Sequence, residues 1–136
     1  MISPVQVTGN SMSPTLQDGE YLTTTRITCH KLHNGDIVVF EPPQAIGFQF
    51  IKRVIALPRQ TIKIDNGIVY LDGQELTEDY LPQIEQFTAP QFFLQNGEEL
   101  TLGENEFFVM GDNRPNSSDS RAWGPVPCDN LVSKLP

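Results

Sequence analysis

Proline and glycine interrupt this chain so often that little room is left for a long helix: eleven prolines and ten glycines stand among its 136 residues. A proline inside a helix removes a backbone donor and clashes with the preceding turn, and glycine weakens helix and strand interiors alike. Between these breaks the apolar residues do not repeat at helical spacing. They come in short blocks rich in Val, Ile, Thr and Phe, which favour strands. "EYLTTTRIT" (20–28), "DIVVF" (36–40), "FQFIKRVIAL" (48–57) and "EFFVMGD" (106–112) read as strands. "TIKI" and "IVYL" flank Asp65-Asn66-Gly67, so residues 61–71 read as a hairpin, with a second turn at Asp72-Gly73. The helical candidate is a turn or two near Asp129–Ser133. The expectation is a mainly β protein with long loops at 8–19 and 111–127.

The length fits one domain spanning 1–136, able to bury a core. Between residues 77 and 104 the strand pattern dissolves into acidic residues, two prolines and the aromatics Phe87, Phe92 and Phe93. This stretch reads as a surface excursion packed down by its aromatics. A formal charge of −8 and the lack of any basic run argue against a nucleic-acid partner. No apolar run reaches the eighteen or so residues a bilayer span needs. Cys29 and Cys128 can pair only if the fold brings their Cα atoms within about 7 Å, and the sequence reading is two ordinary free thiols. Cys29, His30 and His33 match no closed zinc set, so neither a metal nor a cofactor is expected.

Three stretches carry residues that a plain β scaffold does not require. "GNSMSPTLQDGEYL" (9–22) places Ser11 and Ser13 in a turn beside the large apolar Met12. Such serines are ordinarily hydrogen-bonding turn residues; a nucleophile needs a base within reach. His30 and His33 have no obvious orienting carboxylate nearby. Lys52 is the other candidate base, because it interrupts the most apolar strand. Alternation sends Phe50, Lys52 and Val54 to one face and Ile51, Arg53 and Ile55 to the other. A lysine emerging among apolar neighbours loses solvation and with it basicity, whereas a strand-edge lysine keeps its head in water. The third stretch, "GDNRPNSSDSRAWGPVP" (111–127), gathers Asp112, Arg114, Asp119 and Arg121 around two asparagines and three serines. That density reads as a hydrogen-bonded scaffold for an irregular loop. Asn116-Ser117-Ser118 also fits the glycosylation acceptor pattern, but the pattern is short and a glycan would crowd the loop.

Taken together and in this order, "GNSMSPTL", "FIKRVIALP" and "MGDNRPNSSDSRAWGPVP" resemble the serine, lysine and last boxes of type I signal peptidases, and "GDIVVF" is similar to a strand of that family. The resemblance implies antiparallel sheets forming a partly open, barrel-like catalytic domain with few short helices. It implies a Ser-Lys endopeptidase that removes signal peptides from exported preproteins, cutting after small-x-small sites. Position by position, Ser11 matches the nucleophile and Lys52 the general base. Ser117 matches a serine that helps orient the lysine. Arg53 and Asp112, and separately Asp119 and Arg121, match charged residues bracing the site. Val7, Met12, Leu16, Phe50 and Ile51 match residues lining pockets for small side chains. The family carries N-terminal membrane spans ahead of the serine box, so the resemblance implies a piece trimmed to its catalytic domain. Its location would be the plasma membrane, extracytoplasmic face, with lipid met through the missing span.

Two departures stand out. Gly9 occupies a position where some members place a serine that completes the oxyanion hole, and "ALPRQ" replaces the usual Gly-Leu-Pro-Gly-Asp, putting the glycine turn at Arg59 in doubt. Two alternatives stay open. One is the self-cleaving Ser-Lys domain of SOS repressors, which shares a Gly-x-Ser-Met loop but lacks the last box and needs a cleavage site upstream of the serine. The other is a non-catalytic β module that binds extended peptides.

Overall fold

The computed structural model describes residues 4–82 and 87–136. Among these, strands pair antiparallel throughout and form three sheets. The largest has the order β11 (Val126–Pro127), β10 (Glu106–Met110), β5 (Phe50–Ala56), β4 (Ile37–Phe40), β12 (Leu131–Lys134) and β3 (Thr25–Arg26). β3 and β11 do not pair with each other, so this sheet stays open. A four-stranded sheet follows the order β8 (Gln74–Glu75), β7 (Ile68–Leu71), β6 (Thr61–Asp65) and β9 (Glu99–Thr101), and β1 (Val5–Gln6) pairs with β2 (Tyr21–Leu22). One short helix, α1 (Ser120–Trp123), lies in the last box.

β5 organises the interior because both of its faces are covered. Val54 joins Val38, Phe40, Phe107 and Val109 in one cluster, while Ile55 joins Ile62, Ile64, Phe108 and Met110 in another. Ile51 enters a third cluster with Met12, Leu16, Leu22 and Val39. Alternation along β5 and β10 thus feeds separate cores from single strands. The β6–β7 hairpin turns at Asn66 and Gly67, whose φ angles of 50° and 82° suit the tight hairpin turn that Asn-Gly favours. A Cβ at Gly67 would lie 2.1 Å from the Phe87 ring, so glycine is required there on two counts.

Several expectations are corrected. Residues 20–28 are not one strand: β2 pairs with β1 and β3 with β12, so the chain changes sheets at Thr23-Thr24. The helical turn expected near Asp129–Ser133 is confined to a 3-10 turn at Cys128–Asn130, and Leu131–Lys134 is a strand because it fills the gap between β4 and β3. Cys29 and Cys128 are not free thiols. They form a disulfide with their Cα atoms 6.1 Å apart, each in a 3-10 turn flanking the paired strands β3 and β12. The excursion is not buried by its three phenylalanines, although Phe87 rests on Gly67. Phe87, Phe92 and Phe93 are 63%, 87% and 42% exposed, whereas Leu81, Thr88 and Leu94 are buried. The turn at Arg59 survives the loss of glycine, with Arg59 itself at φ 71° and Gln60 Oε1 accepting from Leu57 N–H at 2.7 Å.

Candidate active site

The loop after β1 is closed at its base by two backbone hydrogen bonds, Val7 N–H to Glu20 O and Gly19 N–H to Val7 O, both 2.8 Å. Inside it, Gly9 stands at φ 86° and donates its N–H to Asp18 Oδ1 at 2.8 Å. Met12, only 1% exposed, drives the turn into the cluster with Val39 and Ile51. A large apolar side chain next to Ser11 therefore acts as the anchor that holds the serine in place. From the other side, Asn113 N–H donates to Ser11 O at 2.9 Å, and Asn113 Nδ2 to Asn10 O at 3.0 Å.

Lys52 arrives on β5. Its side chain is buried and its Nζ donates to Ser11 Oγ at 2.7 Å, with the Phe50 ring 5.8 Å away. Burial pulls the ammonium pKa below its ordinary 10.5; the Asp119 carboxylate works against this and Arg121 with it. A lysine so placed gives up its proton more readily than one in water. Arg53, the next residue, points to the opposite partner. Its Nε and Nη2 meet Asp112 at 2.9 and 2.7 Å, and its Nη1 donates to Gly35 O at 2.8 Å. Asp112 also accepts from Thr15 Oγ1 at 2.5 Å. The Arg53–Asp112 pair thus ties the strand of Lys52 to the loop of Ser11.

The last box is built on α1. Asp119 caps the helix by accepting from Arg121 N–H, and takes the Arg121 Nε and Nη2 in two parallel bonds of 2.8 Å. Ser117 Oγ donates to Asp119 Oδ2 at 2.7 Å and accepts from Gly111 N–H at 3.2 Å. Among the described residues Ser117 makes no hydrogen bond to Lys52; its hydroxyl bridges Asp119 and the Gly111 N–H. Gly111 has no room for a side chain, since a Cβ would lie 2.3 Å from Ser117 Oγ and 2.5 Å from Ser11 O.

A groove of about 350 Å³ runs beside Ser11 and Lys52, lined among others by Val7, Met12, Phe50 and Ile51. Leu16 does not line it. This side chain lies behind the wall, in the core cluster with Met12 and Ile51. Two larger hollows, of about 560 and 520 Å³, are lined by other residues and hold neither Ser11 nor Lys52. Size alone would therefore not single out the groove beside Ser11 and Lys52.

Sequence reasoning placed Asn113 in a scaffold without its link to the Ser11 loop, and missed Thr15 and the buried pair Arg114–Glu78, in which Arg114 Nη2 meets Glu78 Oε2 at 2.5 Å. Charge accounting carried half of the signal for the last: once Asp112 pairs with Arg53 and Asp119 with Arg121, Arg114 is left over, and the fold decides which carboxylate it takes.

The chain matches the sequence model of "Signal peptidase, peptidase S26" over residues 1–136. It belongs to the signal peptidase family. Among curated proteins it is 42% identical over 139 residues to the probable signal peptidase I-1 of a Synechocystis strain, covering 95% of this chain and 66% of that relative. It is 34% identical over 132 residues to signal peptidase I U of Bacillus subtilis, covering 95% of this chain and 70% of the relative. A signal peptidase I from Enterococcus faecalis superposes with a TM-score of 0.65 at 31% identity, covering 80% of this chain and all of that one. This signal peptidase family chain thus spans 66% of the first relative's length and 64% of that of a signal peptidase I from Leptolyngbya laminosa. Among the described residues no helix is long and apolar enough to cross a membrane.

Proposed function

We propose that this domain is a serine endopeptidase that removes signal peptides from exported preproteins, with Ser11 as nucleophile and Lys52 as general base. The observation that carries the reading is the 2.7 Å approach of a buried lysine nitrogen to a serine hydroxyl. Neutral Lys52 takes the Ser11 proton as Oγ attacks the scissile carbonyl. The resulting ammonium gives that proton to the leaving amine, and the peptide bond breaks. Water, deprotonated by Lys52, then attacks the acyl-enzyme ester and releases Ser11. The backbone N–H of Ser11 supplies one oxyanion donor, having no partner among the described residues. The Gly9 N–H is held by Asp18 and does not supply the second.

The substrate lies extended along the groove, pairing as an added strand. Val7, Met12, Phe50 and Ile51 leave room for small residues before the cut, which favours small-x-small sites. The protein works at the plasma membrane with this domain on the extracytoplasmic face. The Cys29–Cys128 disulfide supports that placement, because such bonds persist in oxidising compartments.

The test is cleavage of a preprotein in detergent by the protein at its full natural length, beside Lys52→Ala. The parent should cut after a small-x-small site, and the variant should lose roughly 10⁴-fold or more in kcat. Equal cutting by both removes Lys52 as the base. If neither cuts while both are folded, a peptide-binding module is the better account.

A further inference from the structure

The start of the 77–104 excursion grips both halves of the site without touching Ser11 or Lys52. The Tyr80 ring covers the Arg53 guanidinium at 3.9 Å. Its hydroxyl donates to Glu78 Oε2 at 2.8 Å. Glu78 takes Arg114 Nη2 at 2.5 Å and Nη1 at 3.4 Å, and Arg114 Nε donates to Gly111 O at 2.8 Å. Arg53 is the strand neighbour of Lys52, and Gly111 packs against the Ser11 carbonyl. One three-residue stretch therefore holds the lysine side and the serine side of the frame together.

We propose that Tyr80 and Glu78 are positioning residues for the Ser11–Lys52 pair, acting through Arg53 and Arg114. The proposal rests on reading Ser11 and Lys52 as nucleophile and base. Arg53 spends three of its five N–H donors on Asp112 and Gly35 O. The Tyr80 ring over one face of the guanidinium keeps water from that face and adds cation–π attraction. Excluding water also lowers the local dielectric and strengthens the Arg53–Asp112 pair. That pair sets the register between β5 and the Ser11 loop, and an error of about 1 Å between reacting atoms can cost on the order of 100-fold in rate. Burial, and then Glu78, push the Tyr80 hydroxyl pKa upward, so it remains a donor to Glu78. At Arg114, burial opposes the charge, and Glu78, with smaller help from Tyr80 and Asp119, outweighs it.

The experiment compares the full-length protein with Tyr80→Phe, Tyr80→Leu and Tyr80→Leu in an Arg53→Lys background, assayed on a preprotein below every variant's melting temperature. Phenylalanine keeps the ring over Arg53 and should hold kcat within about threefold; leucine should lower kcat roughly tenfold with KM nearly unchanged. In the Arg53→Lys background the leucine change should add less than about threefold, because the partner it acts through is already altered. Unchanged kcat in folded Tyr80→Leu, an effect on KM alone, or full additivity with Arg53→Lys would each overturn the proposal. Should Tyr80→Leu not fold, Glu78→Gln is read in its place, with the same kcat loss expected and an unchanged kcat overturning it. The parent and Lys52→Ala run alongside. If the parent cuts and Lys52→Ala does not, a silent Tyr80 sinks only this inference; if both cut alike, the reading beneath it fails.

Discussion

The inner face of the four-stranded sheet and the site region are both buried, yet they are held by different forces. Under the sheet, Ile55, Ile62, Ile64, Val69, Leu102 and Phe108 pack as an apolar cluster. Nearby charge stays outside: the Arg59–Glu104 pair is 74% and 75% exposed at its side chains. Around Ser11 and Lys52 the arrangement is reversed. Arg53–Asp112, Arg121–Asp119 and Arg114–Glu78 all lie at 10% exposure or less. Apolar packing is non-directional and tolerates exchange at similar volume. Buried charge pairs specify distance and direction, but they carry a large desolvation cost, and losing one partner strands the other. A region built this way can fix a lysine nitrogen against a serine hydroxyl in direction as well as distance, whereas apolar packing such as that of Met12 anchors a loop without orienting its polar atoms.

The sharpest break of this contrast is Arg121→Ala, which leaves the Asp119 carboxylate fully buried without its guanidinium. It should cost about 3–5 kcal/mol, against about 0.5–1.5 kcal/mol for Ile64→Val under the sheet, both read by urea denaturation. Equal losses would mean that the two regions do not differ in kind. Replacing both Cys29 and Cys128 by serine should cost about 2–4 kcal/mol. Since the disulfide touches neither Ser11 nor Lys52, activity should persist wherever the variant remains folded, which separates global stability from site geometry.

Lys52→Met tests the cost of the site directly. Folding lowers the Lys52 pKa, so between the folded value and 10.5 the unfolded chain binds more protons and stability rises with pH. Below the folded value the full penalty remains. Methionine should therefore abolish activity and stabilise the fold by about 1 kcal/mol at neutral pH, an advantage that fades as pH approaches and passes 10.5. A destabilised Lys52→Met, or a gain independent of pH, would contradict burial as the cause. The smallest effect belongs to Glu104→Gln, which breaks only an exposed pair and should change stability by no more than about 0.5 kcal/mol. A larger loss would show that the sheet, too, depends on charge.

How legible all this was depended on whether the physics involved is local. Strand β5, the Asn66-Gly67 hairpin and the serine loop could be read directly, because alternation and turn chemistry act over a few residues, whereas the 111–127 stretch read as a loop holds α1 and β11. The separation of Lys52 from Arg53 followed from the same two-residue period. What could not be read lies at longer range. Leu16 follows Met12 by four residues in a turn, and nothing local says which one faces the groove and which lies behind it. Ser117 lies within reach of several acceptors by sequence, and the Asp119 cap on α1 decides which one it takes.

By itself, the sequence determined a β chain broken at its glycines and prolines, a serine loop anchored by an apolar neighbour, and a lysine set in an apolar strand. Tertiary structure alone decided that Cys29 meets Cys128 across 99 residues, because strand order brings β3 beside β12. It also decided that Glu78 satisfies Arg114, and that Lys52 is buried deeply enough to weaken its hold on a proton. These outcomes depend on which surfaces exclude water from one another, and desolvation belongs to the assembled fold rather than to any stretch of chain.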